Sequence, residues 1–192
     1  MRYRFLITPL LLLAIVATLA PANAEDIRNP EPVKIPTLFG TIIIGTNFPR
    51  EVVSFSEKQP PGTIIVSTGQ RRLYYVMGDG KALRYAIAVG KEGYAWSGTS
   101  TISSKREWPG WTPPADMRKR KPELPAYMPG GKDNPLGARA LYLGDTLYRI
   151  HGTNEPWYMG SAQSSGCIRM TNDDVIDLYG RAKVGATVIV RR

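Results

Sequence analysis

One cysteine and one histidine, Cys167 and His151, are all that this sequence offers of either residue type. A lone cysteine excludes a disulfide within the chain. A zinc site needs three or four Cys, His or carboxylate ligands, and no Cys-x-x-Cys or His-x-x-x-His spacing occurs, so no metal is expected, and no cofactor. Beyond the first two dozen residues no apolar run approaches the ~20 residues that span a bilayer as a helix. Acids are also scarce: 16 Asp and Glu stand against 25 Lys and Arg, a formal net charge of +9.

The amino-terminal end supplies the one long apolar run. Basic Arg2 and Arg4, the stretch from Phe5 to Ala20, and Ala22-Asn23-Ala24 together have the form of a cleavable export signal over residues 1–24. Its removal takes two arginines and no acid, leaving +7 and a soluble protein of single-domain size with no stable membrane insertion. A periplasmic or otherwise exported location makes nucleic acid an improbable partner for this charge and brings envelope polyanions near. Arg118-Lys119-Arg120-Lys121, the densest basic run, reads either as a solvated face or as an anion site.

Residues 25 to about 40 carry Pro30, Pro32 and Pro36 and suit an extended lead-in, and strand signals dominate from there onward. Residues 25–60 form a proline-bearing extension with short β-branched runs at 41–46 and 51–55. Stretches 63–68, 72–77 and 82–89 recur at intervals of about ten residues, broken by glycine turns, and predict a β-meander. Residues 90–138 are crowded with glycine and proline and predict a long functional loop, whose Trp96, Trp108, Trp111 and Tyr127 either pack it onto the sheet or line a groove. Strands are expected again at 139–143, 146–151 and 187–191. Asn172 as N-cap, acids in the first turn and apolar residues at helical spacing predict a helix before Gly185.

A thiol reacts as its thiolate, only a few per cent populated at neutral pH from an ordinary pKa near ~8.5, so it needs a base beside it. His151 is the only imidazole that can serve. A lone cysteine is otherwise a small buried core residue, but Ser164-Ser165-Gly166-Cys167 is polar and flexible rather than an apolar stripe.

Ile150-His151-Gly152-Thr153-Asn154 followed by Ser164-Ser165-Gly166-Cys167-Ile168-Arg169-Met170 resembles the catalytic signature of the L,D-transpeptidases, the YkuD-like family of bacterial cell-wall enzymes. Ile64-Ile65-Val66 with Arg72-Leu73-Tyr74, Ala88-Val89-Gly90-Lys91, Trp111-Thr112-Pro113-Pro114 and Asn134-Pro135-Leu136-Gly137 agree in the same order. The resemblance implies a mainly β, sandwich- or barrel-like catalytic fold over residues 61–192, with one or two short helices and long loops forming the cleft. It implies a cysteine acyltransferase that attacks the bond between diaminopimelate at position three and D-Ala at position four of peptidoglycan stem peptides. An amine of another stem, or of an envelope protein, would accept the acyl group. Alternatives are water as acceptor, giving an L,D-carboxypeptidase or endopeptidase, and a noncatalytic wall-binding module.

Carried over residue by residue, Cys167 is the expected nucleophile, His151 the general base and the Gly152 carbonyl its orienting acceptor. The Gly166 and Cys167 amides would face the oxyanion, and Ser165 would donate a hydrogen bond. Arg169 would either pair with a substrate carboxylate or brace its loop against an acid such as Asp173. Ser165 stands where the family pattern most often has histidine or arginine, which removes a cation from beside the thiol. By the same resemblance, carbapenem-type β-lactams should acylate Cys167.

Overall fold

The computed structural model describes residues 33–37, 40–44, 49–91, 96–164 and 166–192. The expected signal over 1–24, and Ser165, lie outside them. Among the described residues thirteen strands run in chain order. The first two, β1 (Val33–Thr37) and β2 (Gly40–Ile44), form an antiparallel hairpin. β3 (Glu51–Ser54), β4 (Ile64–Ser67), β5 (Arg72–Gly78), β6 (Lys81–Ala86), β8 (Gly98–Glu107), β9 (Arg139–Leu143), β10 (Arg149–His151), β12 (Ile168–Arg169) and β13 (Thr187–Arg191) share one nine-stranded mixed sheet. Its order is β12-β10-β9-β8-β13-β4-β5-β6-β3, while β7 (Val89–Gly90) and β11 (Ala162–Ser164) make a separate parallel pair.

The expected meander is present: β4, β5 and β6 pair antiparallel in succession, and β5 turns into β6 through Gly78, Asp79 and Gly80, all at positive φ. β4 is buried along its whole length and lies parallel to β13, the setting in which a strand reads as an unbroken apolar run. Ile64, Val66, Leu73, Tyr85, Ile150 and Leu178 belong to one continuous core. Each large aliphatic side chain so buried contributes about 1.5–3 kcal/mol. Tyr85 satisfies its hydroxyl by donating to Asp177 at 2.6 Å, as a buried phenol must.

Residues 90–138 correct the expectation of a loop without periodic structure. They contain β8, ten residues long, which pairs with β13 through its first half and, past an irregularity between Ile102 and Ser104, with β9 through its second. One strand thus joins the two halves of the sheet and bends between them. Its Ser, Thr and Lys side chains gave no apolar alternation because Ile102 alone is buried. Further on lie a short helix α1 (Ala115–Arg120), which buries none of its residues, and a bridge between Trp111 and Met128.

The helix α2 (Asn172–Arg181) is the expected one, with its start corrected: Thr171 is the N-cap, its Oγ1 accepting from the Asp174 amide at 3.2 Å. Asn172 sits inside the first turn because its side-chain amide is committed to Ala138 and Thr153. No helix among the described residues is long and apolar enough to cross a membrane.

Candidate active site

The local order starts from two neighbouring strands. β10 and β12 run parallel with Ile150 opposite Ile168 and His151 opposite Arg169. Both isoleucines are buried in the core. Since successive side chains alternate faces, Arg149, His151, Cys167 and Arg169 turn together to the other side. All four line one cavity of about 610 Å³, closed across from them by Trp111, Pro113, Met117 and Leu136. Folding therefore brings the sole imidazole and the sole thiol to one wall, as diagonal neighbours on adjacent strands.

His151 is 3% exposed. Its Nδ1 lies 2.6 Å from the Gly152 carbonyl oxygen, which can only accept, so Nδ1 carries the hydrogen and Nε2 keeps its lone pair. This is the arrangement expected for Gly152. Burial is the largest influence on the ring and pushes its pKa down to about 3; the Arg169 and Arg149 charges act the same way, while the Gly152 and Leu136 carbonyls oppose them. The resting imidazole is thus neutral at every pH at which the protein would work. Burial likewise raises the Cys167 thiol above its ordinary value, against the lowering pull of an Arg149 backbone hydrogen bond and the Arg149 and Arg169 charges. The half-buried thiol donates to the Leu147 carbonyl at 3.7 Å. Burial thus works against charge on both members of the pair.

Gly166 precedes the sulfur at φ +115°, a conformation that a side chain would strain. Glycine is therefore required at this position by the backbone as well as by access. Arg169 pairs with Glu155 at 3.4 Å. The bracing acid is thus Glu155, in the turn after β10, and not Asp173, because Asp173 lies in the first turn of α2, away from the Arg169 side chain's ion pair.

Asn172 is a residue whose role the sequence did not disclose. Its Oδ1 accepts from the amides of Ala138 at 2.9 Å and Thr153 at 3.3 Å, and its Nδ2 donates to the Thr153 carbonyl at 3.0 Å. The α2 helix is thereby tied to the segment that carries Gly152. A Cβ on Gly152 would overlap Asn172 Oδ1 and press on Val175. Gly152→Ala is expected to cost about 1–3 kcal/mol of stability. It should also lower kcat/KM beyond what thermal melting explains, because the shifted carbonyl no longer fixes the imidazole. A variant that melts early but retains full turnover once folded would separate the carbonyl from catalysis.

Asn134, 1% exposed, holds the cleft floor by donating to the Met128 and Pro129 carbonyls and accepting from the Leu136 amide. The aromatic residues divide between the two roles. Trp96 stacks on Tyr148 with centroids 5.4 Å apart and packs on the core, whereas Trp111 lines the cavity. The basic run divides too: Arg118 and Arg120 line the cavity and Lys119 stays exposed beside Asp116. Arg149 was also overlooked, although its place two residues before His151 on a strand was signal enough to put both on one face. Among the described residues no group of three or more His, Cys, Asp or Glu is placed to hold a metal ion.

Comparison with known proteins bears directly on this geometry. Residues 61–190 match the family model YkuD, the L,D-transpeptidase catalytic domain. "Probable L,D-transpeptidase ErfK/SrfK" of Escherichia coli (strain K12) is 40% identical over 134 residues, 65% of this chain and 42% of that protein. A solved structure from Brucella melitensis, titled a probable carnitine operon oxidoreductase, is 46% identical with a TM-score of 0.53, covering 77% of this chain and 96% of that one. The catalytic domain of the Enterococcus faecium L,D-transpeptidase shares the fold at 22% identity and a TM-score of 0.54, covering 70% of this chain and 100% of that one. The chain spans about half the length, or less, of the curated relatives it matches first.

Proposed function

Because this chain belongs to the YkuD family of L,D-transpeptidase catalytic domains, we propose that it is an exported cysteine acyltransferase acting on peptidoglycan stem peptides, with residues 1–24 as signal, 25–60 as extension and 61–192 as catalytic domain. Strand β3 of the extension completes the edge of the catalytic sheet against β6. The observation that carries the reading is the shared wall: His151, oriented by the Gly152 carbonyl, and Cys167 line the same cavity.

In the reaction, Nε2 of His151 takes the thiol proton as Sγ of Cys167 attacks the carbonyl joining the L-centre of diaminopimelate to D-Ala. The Gly166 and Cys167 amides receive the developing oxyanion; loss of one such donor typically costs about 10²- to 10³-fold. The carbon–nitrogen bond breaks, the imidazolium returns its proton to the departing amine, and a thioester remains. An incoming amine, from a second stem or an envelope protein, loses a proton to His151 and displaces the sulfur. No Gly-x-Gly-x-x-Gly nucleotide motif occurs in the chain to match the oxidoreductase name of the Brucella melitensis protein.

Incubating the purified protein with tetrapeptide muropeptides is expected to yield cross-linked dimers, read by mass spectrometry, together with free D-Ala. Shortened stems without dimers would make water the acceptor and the protein a carboxypeptidase. Neither product, with wall binding unchanged in Cys167→Ala, would favour a noncatalytic wall-binding module.

A further inference from the structure

Arg149 is the one member of the cleft wall that the family signature leaves without a task. The register of β10 on β12 sets it beside Cys167, as His151 is set beside Arg169. Its guanidinium carbon lies 5.1 Å from the centroid of the Tyr142 ring, the residue opposite it on β9, so the head is held against that ring while it lines the cavity. Its Nε is buried and finds no hydrogen-bond partner among the described residues, and Arg149 makes no ion pair among them. A buried donor left unmatched is costly, and native proteins keep such atoms where a ligand will meet them.

The surroundings say which sign of ligand. Arg118, Arg120, Arg149 and Arg169 line the cavity against a single acid among the described residues, Asp116. That acid already has Lys119 at 3.8 Å, and Arg169 already has Glu155 at 3.4 Å. Among the described residues the charge left without an ion pair lies with the other three arginines, and of these Arg149 is next to the sulfur. A planar guanidinium matches a carboxylate fork to fork.

We propose that Arg149 is the residue that binds the terminal carboxylate of the amino acid departing from the donor peptide. This inference rests on the acyl-transfer reading. The carboxylate of a terminal D-Ala lies one residue past the attacked carbonyl, on the leaving side, so a cation flanking the nucleophile is where it has to be. A peptide continued beyond D-Ala, or capped there, offers no carboxylate and leaves the buried Nε unmatched among the described residues.

The test compares a diaminopimelate–D-Ala tetrapeptide bearing a free terminal carboxylate with the same peptide as its terminal carboxamide, using the full chain and Arg149→Met and Arg149→Lys. Wild type should favour the carboxylate by on the order of 10- to 100-fold in kcat/KM. In Arg149→Met the ratio should fall near one, the loss being confined to the carboxylate peptide and appearing mainly in KM. Arg149→Lys should retain part of the ratio, since it keeps the charge but lacks the fork; it remains informative should the Met variant melt. A Met variant as selective as wild type overturns the assignment. So does an equal loss on both peptides with a shifted pH profile of iodoacetamide alkylation, which would place the guanidinium's effect on the sulfur. If wild type transfers neither peptide, the acyl-transfer reading fails first, and the inference with it.

Discussion

Cys167→Ser is expected to lose at least about 10⁴-fold in kcat/KM for stem-peptide turnover, and to show no covalent mass increase with a stem peptide or with a carbapenem. The change swaps one atom for a similar one at a half-buried position, so the fold should persist and thermal melting should be nearly unchanged. What is lost is the chemistry: a serine hydroxyl is far less acidic than a thiol, and His151 is the only imidazole in the chain to act on it. Wild-type thiol should itself alkylate slowly with iodoacetamide near pH 7, because burial raises its pKa; the rate should climb as pH rises and the thiolate fills. Adduct formation by Cys167→Ser at the wild-type rate would mean that the nucleophile lies elsewhere.

His151→Gln should cut acylation by about 10²- to 10⁴-fold, the usual worth of a positioned general base, and it should also change how stability depends on pH. The folded ring has its pKa lowered to about 3, whereas an unfolded histidine titrates near ~6.5. Between those values the unfolded chain binds a proton that the folded chain does not, so the stabilisation present above pH ~6.5 drains away as pH falls toward 3, by about 2 kcal/mol at pH 5 relative to pH 8. Glutamine has no such proton. The variant, whatever its absolute stability, should lose less on acidification than the parent in matched urea titrations. For the same reason activity in the parent should not decline through a histidine step near pH 6.5. A drop in kcat/KM centred there would show a ring open to water.

The identity of the reacting pair was legible from scarcity alone. With a single thiol and a single imidazole, any such chemistry had to use Cys167 and His151, and the segments around them carried the family resemblance. The central strands β4, β5 and β6 were legible because half or all of their side chains enter the core, and burial stamps a period on the sequence. β8 was not, because it is held by ladder hydrogen bonds to β9 and β13, buries only Ile102, and spends its Lys105 ammonium on the Tyr179 and Ala182 carbonyls. Backbone pairing leaves no mark on side-chain type.

Asn172 shows the same division on a smaller scale. As a residue type it suited the start of α2, and an N-cap was the natural local reading. The fold spends its amide on Ala138 and Thr153 instead, and Thr171 caps the helix. Sequence by itself determined which atoms could react, that the chain is mostly β, and which family it belongs with. Tertiary structure decided that Arg149 and Arg169 flank the pair, that Glu155 rather than Asp173 answers Arg169, and that burial pushes the imidazole pKa down and the thiol pKa up. Those outcomes depend on which strand lies beside which, in what register, and on how much water the packing leaves; they are set by contacts between residues far apart in the chain, which no local pattern encodes.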